Sequence, residues 1–199
     1  MAIVSTDLKK YLTGAGSDGG SQSDPDASLG GYRSSTEPTS GNDNALFDDV
    51  SGAEASAGDT EYRCLVFKNT HGSLSLTAAK VFFSADDSNS DTTYSIALER
   101  PATANLTDGA AQTIANESTV PSSINTTNHN GTGSGVSDWV ASTSANSYAS
   151  GVGVDLGAAG ADLAPGDLIF VWIRRVIGAS AAAANAVSFT LTLQGDTAA

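Results

Sequence analysis

A glycine-rich motif near the start of the chain has the spacing of a dinucleotide-binding loop. Residues 14–19 read Gly-Ala-Gly-Ser-Asp-Gly and fit the pattern G-x-G-x-x-G. In nucleotide-binding folds this loop joins a strand to a helix whose N-terminus meets the pyrophosphate. Here the preceding residues predict a short helix, and the following ones are rich in Ser, Gly and Asp. We therefore predict a flexible segment and no nucleotide cofactor.

A second motif has the beginning of a calcium loop. Residues 87–91 read Asp-Ser-Asn-Ser-Asp, which places Asp87 and Asp91 at alternate ligand positions. A complete loop needs glycine at its sixth position and glutamate at its twelfth, where this chain has Thr92 and Leu98. A solvated turn is the favoured interpretation and no metal is predicted, although a weak calcium site at this turn stays open.

The residues that could serve as nucleophile or base show no catalytic pattern. Cys64 lies inside an apolar stretch, which is typical of a small core residue. A catalytic cysteine needs a nearby base, and no signature links His71 or His129 to it. Hydrolase, zinc-protease and Walker motifs are absent from the sequence. We predict that the chain is not an enzyme and has no catalytic residues.

Arginines in apolar stretches form the remaining candidate site. Arg174 and Arg175 end a long apolar run, and Arg63 lies in another. In a chain with many acidic residues they could bind carboxylates of a neighbouring subunit, and Arg174 and Arg175 are candidate interface residues on that reading. Internal ion pairs are the alternative, and the sequence leaves both open.

The element that must hold these residues is a strand at residues 167–175. This stretch is the longest apolar run in the chain, is rich in β-branched and aromatic residues, and follows Ala-Pro-Gly at residues 164–166. Such a run is typical of a strand that is covered on both faces. It needs neighbouring strands on both sides and further layers above and below.

Two other stretches alternate between apolar and polar residues, as half-buried antiparallel strands do. They span residues 92–100 and 187–194. We predict an all-β antiparallel β-sandwich, of immunoglobulin-like or jelly-roll type, over residues 46–199, with a long loop-rich insertion at about 101–165. The predicted common core consists of Ile96, Leu98, Phe170, Trp172, Phe189 and Leu191.

Residues 1–45 differ from the rest of the chain in being rich in Ser, Gly and Asp. A short helix is predicted near residues 6–12, after the capping residues Ser-Thr-Asp. The segment holds too few apolar side chains to fold by itself. We predict an extended N-terminal arm that docks on a partner through Leu12, Leu29 and Tyr32.

Charge restricts the class of partner. The chain has 199 residues, with 9 Lys and Arg against 22 Asp and Glu, for a formal net charge of −13. Such an excess of acid argues against nucleic acid and anionic membranes as partners. No stretch approaches the ~18 apolar residues of a membrane helix, and no signal peptide is recognised. We expect the protein to be made in a cytoplasm.

Three stretches resemble blocks in virion structural proteins of tailed bacteriophages. They are residues 24–31 (Asp-Pro-Asp-Ala-Ser-Leu-Gly-Gly), residues 46–54 (Leu-Phe-Asp-Asp-Val-Ser-Gly-Ala-Glu) and residues 58–69 (Gly-Asp-Thr-Glu-Tyr-Arg-Cys-Leu-Val-Phe-Lys-Asn). The resemblance implies a small β-rich protein that is made in the host cytoplasm and assembled on the particle.

Capsid decoration (cement) proteins best match an acidic sandwich with a long N-terminal arm. The resemblance then implies a location on the capsid surface of the virion, a homo-oligomer with a trimer favoured, and the major capsid protein as partner. A tail, neck or fibre component is the alternative, including a carbohydrate-binding sandwich for host recognition. That function would need exposed aromatic side chains, for which Tyr32, Trp139 and Tyr148 are the candidates.

Overall fold

The computed structural model describes residues 2–86, 91–99, 107–121, 139–142, 154–155, 162–182 and 187–197. These residues form two antiparallel sheets and a single short α-helix. The strands are β1 (Leu8–Ala15), β2 (Tyr32–Arg33), β3 (Asp59–Asn69), β4 (Leu76–Asp86), β5 (Thr92–Glu99), β6 (Val140–Ala141), β7 (Val154–Asp155), β8 (Leu168–Ile177) and β9 (Phe189–Thr197), and the helix is α1 (Gly52–Ala57). The predicted all-β sandwich class is confirmed, while its immunoglobulin-like or jelly-roll subtype stays a prediction.

Strand β8 lies inside the larger sheet, whose order is β2-β1-β3-β8-β5-β6. It pairs along its whole length with β3 on one side and from Phe170 to Ile177 with β5 on the other, so that Trp172 lies opposite both Cys64 and Ala97. Every residue from 168 to 173 is buried. The strand predicted from this apolar run, covered on both faces, is therefore confirmed.

The two faces of β8 belong to two separate clusters of apolar side chains. Ile169, Val171 and Ile173 point to a core that includes Val81 and Phe83 of the smaller sheet, whose order is β7-β4-β9. Ile96 and Leu98 lie in this core, and the half-buried Phe189 and Leu191 pack against it.

Phe170 and Trp172 lie on the opposite face, in a second core. This face is covered by two non-strand segments joined by a bridge between Gly30 and Thr113. Ile114 is buried there and Leu29 packs against the same cluster. The prediction of one common core was wrong for Phe170 and Trp172, because adjacent side chains along a strand alternate between its faces.

The predicted helix near residues 6–12 is absent. A 3₁₀ turn, Ser5–Asp7, leads directly into β1, which pairs with β3 from Leu8 opposite Asn69 to Leu12 opposite Leu65. The capping residues that suggested a helix are outweighed by these backbone pairs, since tertiary context overrides local propensity.

The prediction that residues 1–45 form an extended arm docked on a partner is also wrong, because β1 pairs with β3 of the same chain. Leu12 is only 1% exposed and belongs to the first core. The loop after β1 is held by Arg33, whose Nε and Nη2 donate to the two carboxylate oxygens of Asp18 at 2.9 and 2.8 Å. The domain boundary near residue 45 therefore falls within one folded unit.

Much of the predicted loop-rich insertion at 101–165 lies outside the described residues. Its described parts include β6, which pairs with β5 at the end of the larger sheet, and Leu163, which is buried and bridges to Leu76. Among the residues that the structure describes, no helix is long and apolar enough to cross a membrane.

Candidate functional site

A group of charged side chains lies near the ring of Phe47, where β3 begins and β8 ends. We call it the arginine–carboxylate cluster; its members are Arg63, Arg175, Asp26, Asp48, Glu61 and Glu117. Both guanidinium groups lie against Phe47, with the carbon of Arg63 5.5 Å and that of Arg175 4.7 Å from the ring centroid. A face of an aromatic ring attracts such cations.

Arg63 joins two distant loops to β3. Its side chain is fully buried, and its Nη2 donates to Asp26 Oδ1 at 3.0 Å and to Glu117 Oε2 at 2.5 Å. Its Nη1 donates to the Tyr62 carbonyl at 3.3 Å. A buried guanidinium requires such partners because an unpaired charge is costly inside a protein.

Arg175 holds the chain just before α1 against the sheet. Its Nε donates to Glu61, which lies opposite it on β3. Its Nη1 donates to the Asp48 carbonyl at 2.8 Å, and its Nη2 lies 3.4 Å from Asp48 Oδ1. The internal ion pair is therefore the correct alternative for Arg175, and its prediction as an interface residue is wrong.

Glu61 is the least solvated acid of the cluster, at 1% exposure. Burial raises the pKa of Glu61 above its ordinary value, and the contact with Arg175 opposes that rise only in part. Its Oε1 is buried and has no hydrogen-bond partner among the described residues. The Glu61 carboxylate is therefore only partly stabilised by Arg175, because one of its two oxygens has no hydrogen-bond partner among the described residues.

Acidic oxygens converge at Glu61 in two sets. One ligand oxygen each from Asp48, Glu61 and Glu117 lie within 4.8 Å of one another, and the same holds for Glu54, Asp59 and Glu61. Carboxylate oxygens are the ligands that hard cations such as Ca²⁺ prefer. In the first set each carboxylate touches an arginine, whereas in the second only Glu61 does.

A second buried polar pair lies on the opposite face of the sheet. Trp172 Nε1 donates to Glu99 Oε2 at 2.7 Å, and the backbone N–H of Gln112 donates to Glu99 Oε1 at 2.8 Å. Burial raises the pKa of Glu99 above its ordinary value of 4.5, with the hydrogen bonds from Trp172 and Gln112 acting against it. Glu99 therefore anchors the loop that contains Gln112 onto the central strand.

The raised pKa of Glu99 has a consequence for stability. The folded state holds the Glu99 proton more tightly than the unfolded state does. Protonated Glu99 therefore adds to the free energy of unfolding, and this contribution is fully present below about pH 4.5 and is lost as pH rises through the pKa of the folded state. We expect Glu99→Gln, which cannot ionise, to reduce the fall in unfolding free energy between pH 4.5 and neutrality. The remaining fall reflects Glu61, whose pKa is also raised.

Urea unfolding at a series of pH values measures this effect. Glu37→Gln is the matched control, because Glu37 is on the surface with a side chain 45% exposed. The control is expected to keep the pH dependence of the unsubstituted protein. An unchanged pH dependence in Glu99→Gln would contradict the assignment.

The predicted docking residues are not gathered into one surface. Leu12 is in the first core, and the half-buried Leu29 packs against the second. Arg174 is half-buried, with its Nε donating to Ser95 Oγ at 2.9 Å and its guanidinium 5.1 Å from the ring centroid of Trp139. Tyr32 alone of the five is exposed, at 38%, on the edge strand β2.

The other motifs of the sequence have structural roles or lie outside the described residues. The glycine motif at 14–19 begins in the last two residues of β1 and continues into turns rather than a helix. At Gly14, with φ of +92°, an added Cβ would lie 2.2 Å from the Ala27 carbonyl oxygen, so this glycine serves a close backbone approach. Of the calcium-loop motif at 87–91, only Asp91 is described.

Cys64 is fully buried between the strands, as predicted for a core residue. Burial raises the pKa of its thiol well above the ordinary value, which keeps the sulfur protonated and unreactive.

An apolar groove was not predicted from the sequence. It has a volume of about 220 Å³ and lies where β9 meets the start of β1 and the end of β3. Its lining residues are Ser5, Leu8, Phe67, Leu191, Thr192 and Leu193. The alternation in β9 is visible in the sequence, but the position of β9 at the edge of the smaller sheet depends on long-range pairing.

Comparison with protein-family models, with curated proteins and with solved structures finds no match for this chain.

Proposed function

We propose that the chain is a structural virion protein of a tailed phage, which decorates and stabilises the outside of the capsid by bridging major capsid protein subunits. On this proposal it is made in the host cytoplasm and ends on the capsid surface, with a trimer as the favoured homo-oligomer. Neither nucleic acid nor a membrane is a proposed partner, in keeping with the net charge of −13.

The observation that carries this proposal is the edge strand β9 beside the apolar groove. Phe189, Leu191 and Leu193 of this edge strand are half-buried and pack against the first core, and Leu191 and Leu193 also line the groove. Edge strands and partly covered apolar rows are surfaces that proteins bury when they assemble. The sequence blocks that resemble phage virion proteins support the same function.

The folded N-terminal segment changes the mechanism of attachment. Because β1 is part of the larger sheet, a free arm cannot supply the contact with the shell. The proposed contact is instead a preformed surface, which loses little conformational entropy when it binds. Each bound copy would then add interface area between shell subunits and shift the equilibrium toward the assembled form.

Tail, neck or fibre function stays the alternative, and its carbohydrate-binding form depends on exposed aromatic side chains. Trp139 is half-buried, 5.6 Å from the ring of Tyr62 and beneath Arg174, and so offers little open face. Tyr148 lies outside the described residues.

Sedimentation distinguishes the two functions. We expect the purified full chain to co-sediment with capsids that lack it and not to bind soluble polysaccharide. Binding to polysaccharide without binding to capsids would favour the fibre alternative and contradict decoration.

Tyr32, on the β2 edge of the larger sheet, provides a test of whether a second surface besides β9 makes contact with the capsid. Exposed tyrosines are frequent hot spots of interfaces, so Tyr32→Ala is expected to weaken attachment to capsids by about tenfold or more, equivalent to about 1.4 kcal/mol. Val120→Ala is the matched control, because Val120 has nearly the same exposure, 39% against 38%. Equal affinity of the two variants for capsids would show that Tyr32 and the β2 edge do not belong to the interface.

A further inference from the structure

We propose that Glu54, Asp59 and Glu61 form a Ca²⁺-binding site at the junction of α1 and β3, where carboxylate oxygens of the three residues lie within 4.8 Å of one another and Glu61 has a buried oxygen without a partner. This site is separate from the calcium-loop motif at residues 87–91 and does not depend on the proposed function.

The local backbone brings the three carboxylates together. Ser51 caps α1, and Gly58 ends it, with its N–H donating to the Glu54 carbonyl at 2.7 Å. Asp59 and Glu61 are two residues apart on β3, so their side chains project from the same face of the strand. The short helix therefore returns Glu54 to the beginning of that face.

Gly58 is required for this geometry. Its φ is +79°, which residues with a side chain rarely adopt. An added Cβ would also lie 3.0 Å from the Ala179 nitrogen and 3.1 Å from the Ile177 carbonyl oxygen. The turn that gathers the carboxylates is thus closely packed against the end of β8.

Each carboxylate uses one oxygen for the protein and leaves the other for a ligand. Glu54 Oε2 accepts from the Ser51 N–H at 2.6 Å, and Asp59 Oδ1 accepts from the Thr60 N–H at 2.7 Å. Glu61 Oε2 accepts from Arg175 Nε. These contacts fix the orientation of the three groups without using Glu61 Oε1.

The unpartnered oxygen of Glu61 is the observation that points to a ligand. Burying a polar atom without a partner costs free energy, and more so for an ionised group. Arg175 offsets the charge of Glu61 only in part, because it is shared between Glu61 and Asp48 and leaves Glu61 Oε1 without a partner. A divalent cation bound between Glu61, Glu54 and Asp59 would offset most of their combined negative charge and give Glu61 Oε1 a partner.

The other acidic set, Asp48, Glu61 and Glu117, is a poorer site. Arg175 contacts the first two of its carboxylates and Arg63 contacts the third, so a cation there would face two guanidinium groups. These guanidinium groups carry the same sign of charge as the cation and would repel it.

The donor set favours Ca²⁺ over other divalent ions. It consists of carboxylate oxygens without nitrogen or sulfur, which suits hard cations. Ca²⁺ accepts irregular geometry with bonds of about 2.3–2.6 Å, whereas Mg²⁺ requires a near-octahedral shell at about 2.1 Å. Glu54 and Asp59 are half-buried, which leaves room for water molecules to complete the coordination shell. We expect a dissociation constant for Ca²⁺ of about 10⁻⁴–10⁻³ M.

Calorimetric titration of the chelator-treated full chain with CaCl₂, at constant ionic strength, tests the site. We expect saturable binding at one site, weaker binding of MgCl₂ and a melting temperature that rises with Ca²⁺ concentration. Asp59→Asn is expected to weaken Ca²⁺ binding by about tenfold or more, which corresponds to about 1.4 kcal/mol.

Two matched variants complete the test. Asp49→Asn removes a nearby exposed carboxylate outside the site and should bind Ca²⁺ as the unsubstituted chain does. Asp48→Asn removes a member of the other acidic set and should also retain binding. The proposal is overturned by the absence of saturable Ca²⁺ binding, by equal losses in Asp49→Asn and Asp59→Asn, by Mg²⁺ binding as tight as Ca²⁺ binding, or by a loss confined to Asp48→Asn.

Discussion

Removal of residues 1–45 is expected to abolish cooperative folding of the remaining chain. The deletion takes away β1, which pairs with β3 in the larger sheet, and exposes the core around the buried Leu12. It also removes the segment at 28–31, which covers the second core and whose Gly30 N–H donates to Thr13 Oγ1 at 3.2 Å.

The size of the effect follows from typical stabilities. Loss of one buried leucine side chain costs about 2–5 kcal/mol, while whole domains are stable by only about 5–15 kcal/mol. The loss of an entire strand and of the segment that covers the second core should therefore cost more than the whole free energy of unfolding.

Circular dichroism during a thermal melt measures this outcome. A chain lacking only residues 1–2 is the control, since Ala2 is exposed and it should melt like the full chain. A truncated chain (46–199) with a near-normal melt would restore the free-arm interpretation and contradict the fold described above.

Substitution of Trp172 by alanine is expected to have the largest effect of any single change. The side chain is fully buried between the sheet and its loop cover, and truncation of a buried tryptophan costs about 3–5 kcal/mol. The change also leaves Glu99 Oε2 without its donor at 2.7 Å, which adds about 1–3 kcal/mol for a buried polar group.

Trp172→Phe separates these two contributions. It keeps most of the ring volume but loses the indole N–H, so we expect a clearly smaller loss than for alanine. Urea unfolding gives the difference in unfolding free energy. A loss below about 1 kcal/mol for Trp172→Ala would contradict the burial of this side chain in a well-packed core.

The strands with a clear apolar pattern could be predicted from the sequence. The apolar run around Phe170 and the alternation in β5 and β9 depend on local composition, which a sequence carries directly. The prediction that β5 is only half-buried was wrong, because Ser95, Ala97 and Glu99 on its more polar face are buried as well. Strand β1 could not be predicted in this way, because its Leu-Lys-Lys-Tyr-Leu spacing also fits a helix. Its pairing with β3, across more than fifty residues, decides the structure.

The candidate site was visible only in part. Arg63 and Arg175 were recognised as charged residues within apolar strands, but their acidic partners come from distant segments. Asp26 and Glu117 reach Arg63 through loops that the sequence pattern does not place. A partial signal was present in β3, where Glu61 and Arg63 alternate with Tyr62 and therefore share the face that carries Leu65.

The central functional claim is that the chain binds and stabilises an assembled shell. Its most direct test is to titrate the purified full chain onto capsids that lack it and onto unassembled major capsid protein, and to record bound copies and the temperature at which the capsids come apart. The account predicts saturable binding to capsids, weaker binding to free subunits and a higher disassembly temperature at full occupancy. Equal binding to free subunits with an unchanged disassembly temperature, or no binding to capsids at all, would contradict it.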